Sequence, residues 1–338
     1  MTGLKTALAY AEPNSIAYVF TDAGAKDHHL YKEVLSLVQK KQVKVNFITA
    51  KIDPSKNPLK TVVVYHQIAQ ASEGQVLIIN RNSIMKLLLS ISESLDSKYE
   101  ALASINSKQA GKISAVVRVD ASFTKISVTL AGESSTLVVK KQNNETITGS
   151  SSDIISVNVQ FTTFNVTDTV YNIEASARSS YSIRVGGISD LKILFGFSTH
   201  VPSNHAETSF RPLVGAENIL SVFVSDPSLV KGLTNAVIIP AVEEDPFEDI
   251  DITFTSVCGN MYSSALFKVP TKMFKVKVQG CDKNGNEINR LISSGIESVT
   301  GGQESFTNLY CRRSLLSNFL HRKARSKNKS QPLSYKSV

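Results

Sequence analysis

The chain has no tryptophan and only three cysteines in 338 residues. It contains no apolar stretch of the length needed to cross a bilayer, so a membrane-embedded chain is not expected. Cys258, Cys281 and Cys311 include no C-x-x-C pair and no Cys/His metal spacing. Three thiols cannot all pair within one chain; Cys258 and Cys281 lie in one stretch and are either a disulfide, in an oxidising compartment, or two free thiols. The opening MTGLKTALAYAEPNS lacks the basic start and apolar centre of a signal peptide. G-x-S-x-G, the P-loop, G-x-G-x-x-G and H-E-x-x-H are all missing, which leaves an enzyme without support.

Charge is scarce in one sense as well. Between Arg312 and Val338 there are eight Lys/Arg and no acid, and the other 29 basic residues balance the 29 acidic ones. The whole excess of +8 therefore lies in 312–338, within a Ser/Asn/Lys-rich tail, 301–338, which reads as disordered. The folded part gives no electrostatic reason to expect nucleic acid. The alternative is an intracellular binding protein that uses this tail on nucleic acid or anionic membrane.

What is present changes in character along the chain. Up to residue 98, strand and helix alternate. Ile16–Phe20 is a continuous apolar run, expected of a strand covered on both faces. HHLYKEVLSLVQKK (28–41) carries Leu30, Val34, Leu37 and Val38 on one stripe, VKVNFIT is a second buried strand, and TVVVYHQIAQAS (61–72) a second helix with Gly74 just past its end. GQVLIIN and SIMKLLLSISESL complete a third βα unit, so a parallel sheet is expected. After Ala110-Gly111, short runs with period-two alternation take over, among them KISVTLAG, SVNVQF, YSIRVGG and LKILFGF. A second set begins near 210, and HVPSNHAETSFRP (200–212) reads as the linker between them. The expected class is α/β plus all-β: a partial Rossmann-like parallel sheet over 1–98, an antiparallel β-sandwich (galactose-binding-like or similar) over 112–200, and an immunoglobulin-like β-sandwich over 206–300.

Asp22 ends the first strand, where open parallel sheets gather ligands. The stretch around it, VFTDAGAKD, follows GLKTALAYAEPNS and precedes LYKEVLSLVQKKQVKVNFI. Together with QIAQASEGQVLIINRNSIMKLLL, it resembles the later half of a von Willebrand factor A domain, and more closely that of the hemicentins, large extracellular matrix proteins. VRVDASFTKISVTLAG and the hairpin around CDKNGNEINR extend the likeness to about residue 297.

The resemblance implies matrix assembly and cell anchoring through contacts with matrix or cell-surface proteins, in an extracellular setting. It implies that Asp22 matches the aspartate of the family's metal-ion-dependent adhesion site. That family's principal ligands come from a D-x-S-x-S motif on an earlier strand, which does not occur ahead of Asp22 here. The metal site is therefore read as vestigial and the domain as truncated at its N-terminus. No cofactor is expected, with Mg²⁺ or Ca²⁺ admitted only if upstream ligands exist; a cation-dependent adhesion module using Asp22 is the further alternative. In the family's sheet order the missing first strand lies beside the strand 16–20, whose edge is then expected to be bare.

Other candidates have plainer readings. Asp120-Ala-Ser122-Phe-Thr124 imitates D-x-S-x-T but reads as a turn entering a strand. CDKNGNEINR spaces Asp282, Asn284 and Asn286 like a calcium loop, yet has no Glu at the twelfth position, and Asn284-Gly285 is a favoured two-residue hairpin turn. His28-His29 reads as solvent-facing and the acidic run EEDPFEDIDI (243–252) as a solvated loop. Asn144-Glu-Thr146 and Asn165-Val-Thr167 are N-glycosylation acceptors if the chain is secreted, with Asn328-Lys-Ser330 a third triplet.

Overall fold

A computed structural model of the chain describes residues 1–13, 15–50, 52, 59–147, 151–156, 158–241 and 246–299. The tail 301–338, with its charge and Asn328, lies outside the described residues.

The first unit runs α1 (Thr2–Tyr10), β1 (Ile16–Thr21), α2 (Tyr31–Lys41), β2 (Lys44–Thr49), α3 (Leu59–Ala71), β3 (Val76–Ile78), α4 (Ile84–Ser94). Its sheet is parallel, in the order β1-β2-β3. Leu4, Leu8, Val34, Val38, Val45, Phe47, Tyr65 and Ile68 form the core between the sheet and α1 to α3. On the opposite face Ile48, Leu77 and Leu87 join Ala131, Val159 and Phe161 of the next unit.

Two sequence expectations shift here. β1 is only half-buried, and Phe20 is 57% exposed, because among the described residues the strand has a neighbour on one side alone. The residue past α3 with a left-handed backbone is Glu73, φ 60°, not Gly74. Glycine is needed at 74 for a different reason: a Cβ there would lie 1.9 Å from the Val45 carbonyl oxygen.

The second unit contains β4 (Tyr99–Ser107), β5 (Gly111–Arg118), β6 (Phe123–Gly132), β7 (Thr136–Lys141), β8 (Ser151–Ser156), β9 (Val159–Asn165), β10 (Val170–Ala177) and β11 (Tyr181–Ser189). They form a sheet β5-β10-β7 and a sheet β4-β11-β6-β9-β8. Residues of both, such as Val117, Val139 and Ile173 against Val128, Leu130 and Ile183, share one core. β4 lies ahead of residue 112, so the antiparallel pairing starts earlier than the sequence pattern indicates.

The third unit comprises β12 (Ile193–Ser198), β13 (Glu217–Val224), β14 (Val230–Pro240), β15 (Ile250–Cys258), β16 (Met261–Ser264), β17 (Phe267–Lys268), β18 (Phe274–Asp282) and β19 (Glu287–Ile296). The strands follow one path, β12-β13-β16-β15-β14-β18-β19, with β17 on β13. β15 passes from β14, along Ile250–Thr253, to β16, along Phe254–Cys258, so the sheet folds over a single core.

β12 corrects the reading that grouped LKILFGF with the preceding strands: all six of its residues pair with β13. The segment 200–212 is accordingly not a linker but a connection inside this unit. Phe197 and Ser209 exchange backbone hydrogen bonds of 2.7 and 2.8 Å, and the His205 ring nitrogen Nε2 lies 3.0 Å from the Phe195 carbonyl.

Candidate functional site

Asp22 sits just past β1 with its side chain exposed. Beside it, the Thr21 hydroxyl donates to the Ala23 carbonyl at 3.1 Å, and Tyr65 donates to the same carbonyl at 2.9 Å. The nearby hydroxyls are thus spent on the backbone of the loop. Among the described residues no group of three or more His, Cys, Asp or Glu side chains is placed to hold a metal. A hard divalent cation takes six or more oxygens, and one carboxylate with engaged neighbours does not fit that requirement.

The two metal-like motifs do something else: they meet. Asp120 and Arg290, each almost fully buried, form an ion pair of 2.5 Å between the second and third units. The other Asp120 oxygen accepts from the Ser122 amide at 3.0 Å and from its hydroxyl. Arg290 donates further to the hydroxyls of Ser122 at 3.0 Å and Ser189 at 3.2 Å, and its guanidinium lies 4.2 Å from the centroid of the Phe123 ring. From the same hairpin, Asp282 accepts from the Ala121 amide at 2.9 Å, and from the amides of Asn284 and Asn286 at 2.8 Å each. Burial pushes the Asp282 carboxyl up, but these donors outweigh it and hold the group below its usual range. Gly285 takes φ 85° but Asn284 is not left-handed, and the Gly285 amide donates to the Asp282 carbonyl at 3.1 Å, so the turn is centred on Lys283-Asn284 with Gly285 following it, not the two-residue Asn284-Gly285 turn expected. The D-x-S and calcium-loop patterns are two halves of a joint between units. Thr124 stays outside it, exposed.

A second joint gathers all three units on Glu73. Its carboxylate is 1% exposed and meets Lys275 of β18, Arg184 of β11 at 3.7 Å, and the Ser104 hydroxyl of β4. Arg184 also donates to the carbonyls of Glu73 at 3.0 Å, Gly74 at 2.8 Å and Ile105 at 3.3 Å. Burial alone would raise the Glu73 carboxyl; Arg184, Lys275 and Ser104 overcome it and leave the group lowered. Lys44 on β2 is pushed down to about 8 by burial, with Arg184 adding repulsion and Glu73 opposing both. Around the joint, Gln75 donates to the Ser182 carbonyl at 3.1 Å, and Gln42 to the Gly295 carbonyl at 3.2 Å. A left-handed glutamate costs about 1–3 kcal/mol; three neighbouring cations explain why it is held there.

Glu100, on β4 opposite Gly187, is raised to about 7 by burial, with Arg290 and Lys192 pulling the other way. A carboxyl raised on folding binds more protons in the folded state between its unfolded value of 4.5 and about 7, so its effect on stability worsens as pH rises across that window. Glu100→Gln is expected to match the parent near pH 4.5 and to exceed it at pH 8, measured by urea midpoints.

The remaining candidates are dispersed. The His28 and His29 rings stand 6.5 Å apart, edge to face, with no third ligand among the described residues. Residues 243–245 of the acidic run lie outside the described residues, and Pro246 accepts a hydrogen bond from Lys272. The disulfide alternative is not the one adopted, since Cys281 carries a free thiol. Asn144, in a left-handed turn at φ 66°, and Asn165, at the end of β9, are both exposed.

Both joints escaped the sequence reading, but one had left a trace. Ile288, Arg290 and Ile292 alternate on a single face of β19, which places a charged residue among core positions. Nothing local marks Glu73, whose partners lie 31 to 202 residues away along the chain.

Comparison with known proteins agrees with this layout. Residues 1–81 match the family model of the von Willebrand factor A domain. The mouse protein Hemicentin-1 is 25% identical over 313 residues, which is 88% of this chain and 5% of that protein. Mouse Hemicentin-2 is 24% identical over 311 residues, 88% of this chain and 6% of its own length, and human Hemicentin-1 is 24% identical over 313 residues. The chain thus spans about a twentieth of the length of these relatives. A solved Bacillus licheniformis lipase in its propeptide form covers 85% of this chain and 74% of its own at 10% identity and a TM-score of 0.32, too low to bear on fold or activity.

Proposed function

We propose that this hemicentin-like chain is a non-catalytic module of the extracellular matrix, which acts through contacts with matrix or cell-surface proteins. The observation that carries the reading is the pair of buried joints. A similarity that runs through 88% of the chain crosses all three units, and the Glu73 and Asp120–Arg290 contacts fix those units to one another. Such a rigid arrangement presents surfaces at fixed spacing, which suits a structural or adhesive part. Asp22 contributes without a bound cation, because its surroundings supply too few free oxygens. In a secreted form, Asn144 and Asn165 carry glycans, since both side chains are open to solvent.

The test is attachment. The chain, coated on plastic, is expected to retain cells or detergent-extracted matrix equally well in Mg²⁺ and in EDTA, and Asp22→Ala is expected to behave as the parent. Loss of attachment in EDTA together with loss in Asp22→Ala would replace this reading with the cation-dependent one. Absence of attachment under every condition would end it.

A further inference from the structure

An arginine side chain carries five N–H donors, and four of those on Arg290 are spent. Nη1 donates to Asp120 at 2.5 Å and to the Asn289 carbonyl at 3.1 Å, and Nη2 to the hydroxyls of Ser122 and Ser189. The fifth donor, Nε, is buried and has no acceptor. An idle buried donor is costly, and more so on a charged group. Nearby, one acid is equally idle. The Glu100 carboxyl, half-buried on β4, makes no hydrogen bond and no ion pair among the described residues. β19 packs across β4, and Arg290 acts on Glu100 more strongly than any other charge does. Gly187 stands opposite Glu100 on β11, so that strand sets no side chain against it. The remaining charges around it are committed or solvated. Lys98 pairs with Asp190 at 2.7 Å, and Asp120 is held by Arg290 and Ser122. Lys192 is exposed, and an exposed ammonium gains little from a carboxylate.

We propose that Glu100 is a proton-gated second anion of this joint: when its carboxyl gives its proton to solvent, the carboxylate turns onto the idle Nε, and Arg290 then bridges Asp120 and Glu100. Protonation opens the bridge again. The idle donor names the partner, and burial sets the range. Because burial holds the carboxyl up at about 7, the bridge forms as pH rises through neutrality. The new bond recovers part of what burial costs the anion; the unrecovered part keeps the folded carboxyl above its ordinary 4.5. The bridge ties the strand that opens the second unit to β19 of the third, beside the contact that Asp120 already makes.

The Nε–Hε group of Arg290 reports the bond directly by heteronuclear NMR of the full, isotopically labelled chain. Its signal is assigned through bonds from the Arg290 backbone, and the Glu100 carboxyl carbon is followed in the same samples. Hε is expected to move downfield as pH is raised through about 7, with the same midpoint as the Glu100 carboxyl. In Glu100→Gln, which keeps the shape and loses the charge, that movement is expected to vanish. A carboxyl that titrates while Hε stays fixed would mean that the anion turns to Lys192 or to water, and would overturn the proposal. So would an Hε shift that survives in Glu100→Gln, or a Glu100 midpoint at the ordinary 4.5. Should Glu100→Gln fail to fold, the parent still decides, because different midpoints for the two signals would also overturn it.

Discussion

Arg290→Ala is expected to cost about 3–5 kcal/mol of stability, the usual consequence of leaving a buried charge without its partner. Asp120 would then be an anion in a site with almost no exposed surface, keeping only the Ser122 amide and hydroxyl. Asp120→Ala should cost a similar amount by stranding Arg290 over the Phe123 ring. The double variant Asp120→Leu/Arg290→Met removes both charges together and should recover most of the loss, since an apolar pair of similar volume avoids the desolvation that the ion pair carries. Urea denaturation of the parent, the single variants Asp120→Leu and Arg290→Met, and their double variant gives the coupling directly. Additive losses, with the double variant worst of all, would mean that the two residues do not act as a pair.

Glu73→Gln is expected to have a comparable effect, about 3–5 kcal/mol at pH 7, by leaving Arg184 and Lys275 without their anion at the meeting point of three units. Its signature is in the pH dependence. The folded carboxyl lies below its ordinary value of 4.5, so its stabilisation is complete above about pH 4.5 and is lost as pH falls through the lower folded value. The parent should therefore weaken on acidification more than the variant does, and the two curves should converge at low pH. Small-angle scattering at pH 7 is expected to show a broader distribution of shapes for Glu73→Gln, because the same contact holds the units in place. A variant as stable as the parent at pH 7 would remove Glu73 from any role in that arrangement.

The α/β unit was legible because its apolar runs and helical stripes are strong: Val34 and Val38 are buried as the stripe requires, and β1 and β2 fall where the continuous runs lie. Unit boundaries were harder. Tyr99–Ser107 is a strand built largely of Ala, Ser and Glu, with few of the β-branched residues by which strands are recognised, so its membership in the second unit was invisible. β12 has the right pattern for a strand, but pattern says nothing about which neighbour it takes, and it pairs forward with β13 rather than back. The carboxylates Asp120 and Asp282 were noticed for their spacing. Their partners, Arg290 and the Ala121 amide, come from the opposite unit in each case, and local sequence does not encode that approach.

The position of Lys275 has a temporal consequence. It is translated 202 residues after the glutamate that it neutralises, an interval of about 10–40 s at 5–20 residues per second. For the first 111 residues of that interval the nascent first unit holds a left-handed acid with neither Arg184 nor Lys275 made, and for the rest it lacks Lys275. The window of greatest exposure to chaperones and to misassembly is thus set by the ribosome rather than by the finished fold. Slowing synthesis across the third unit would lengthen it.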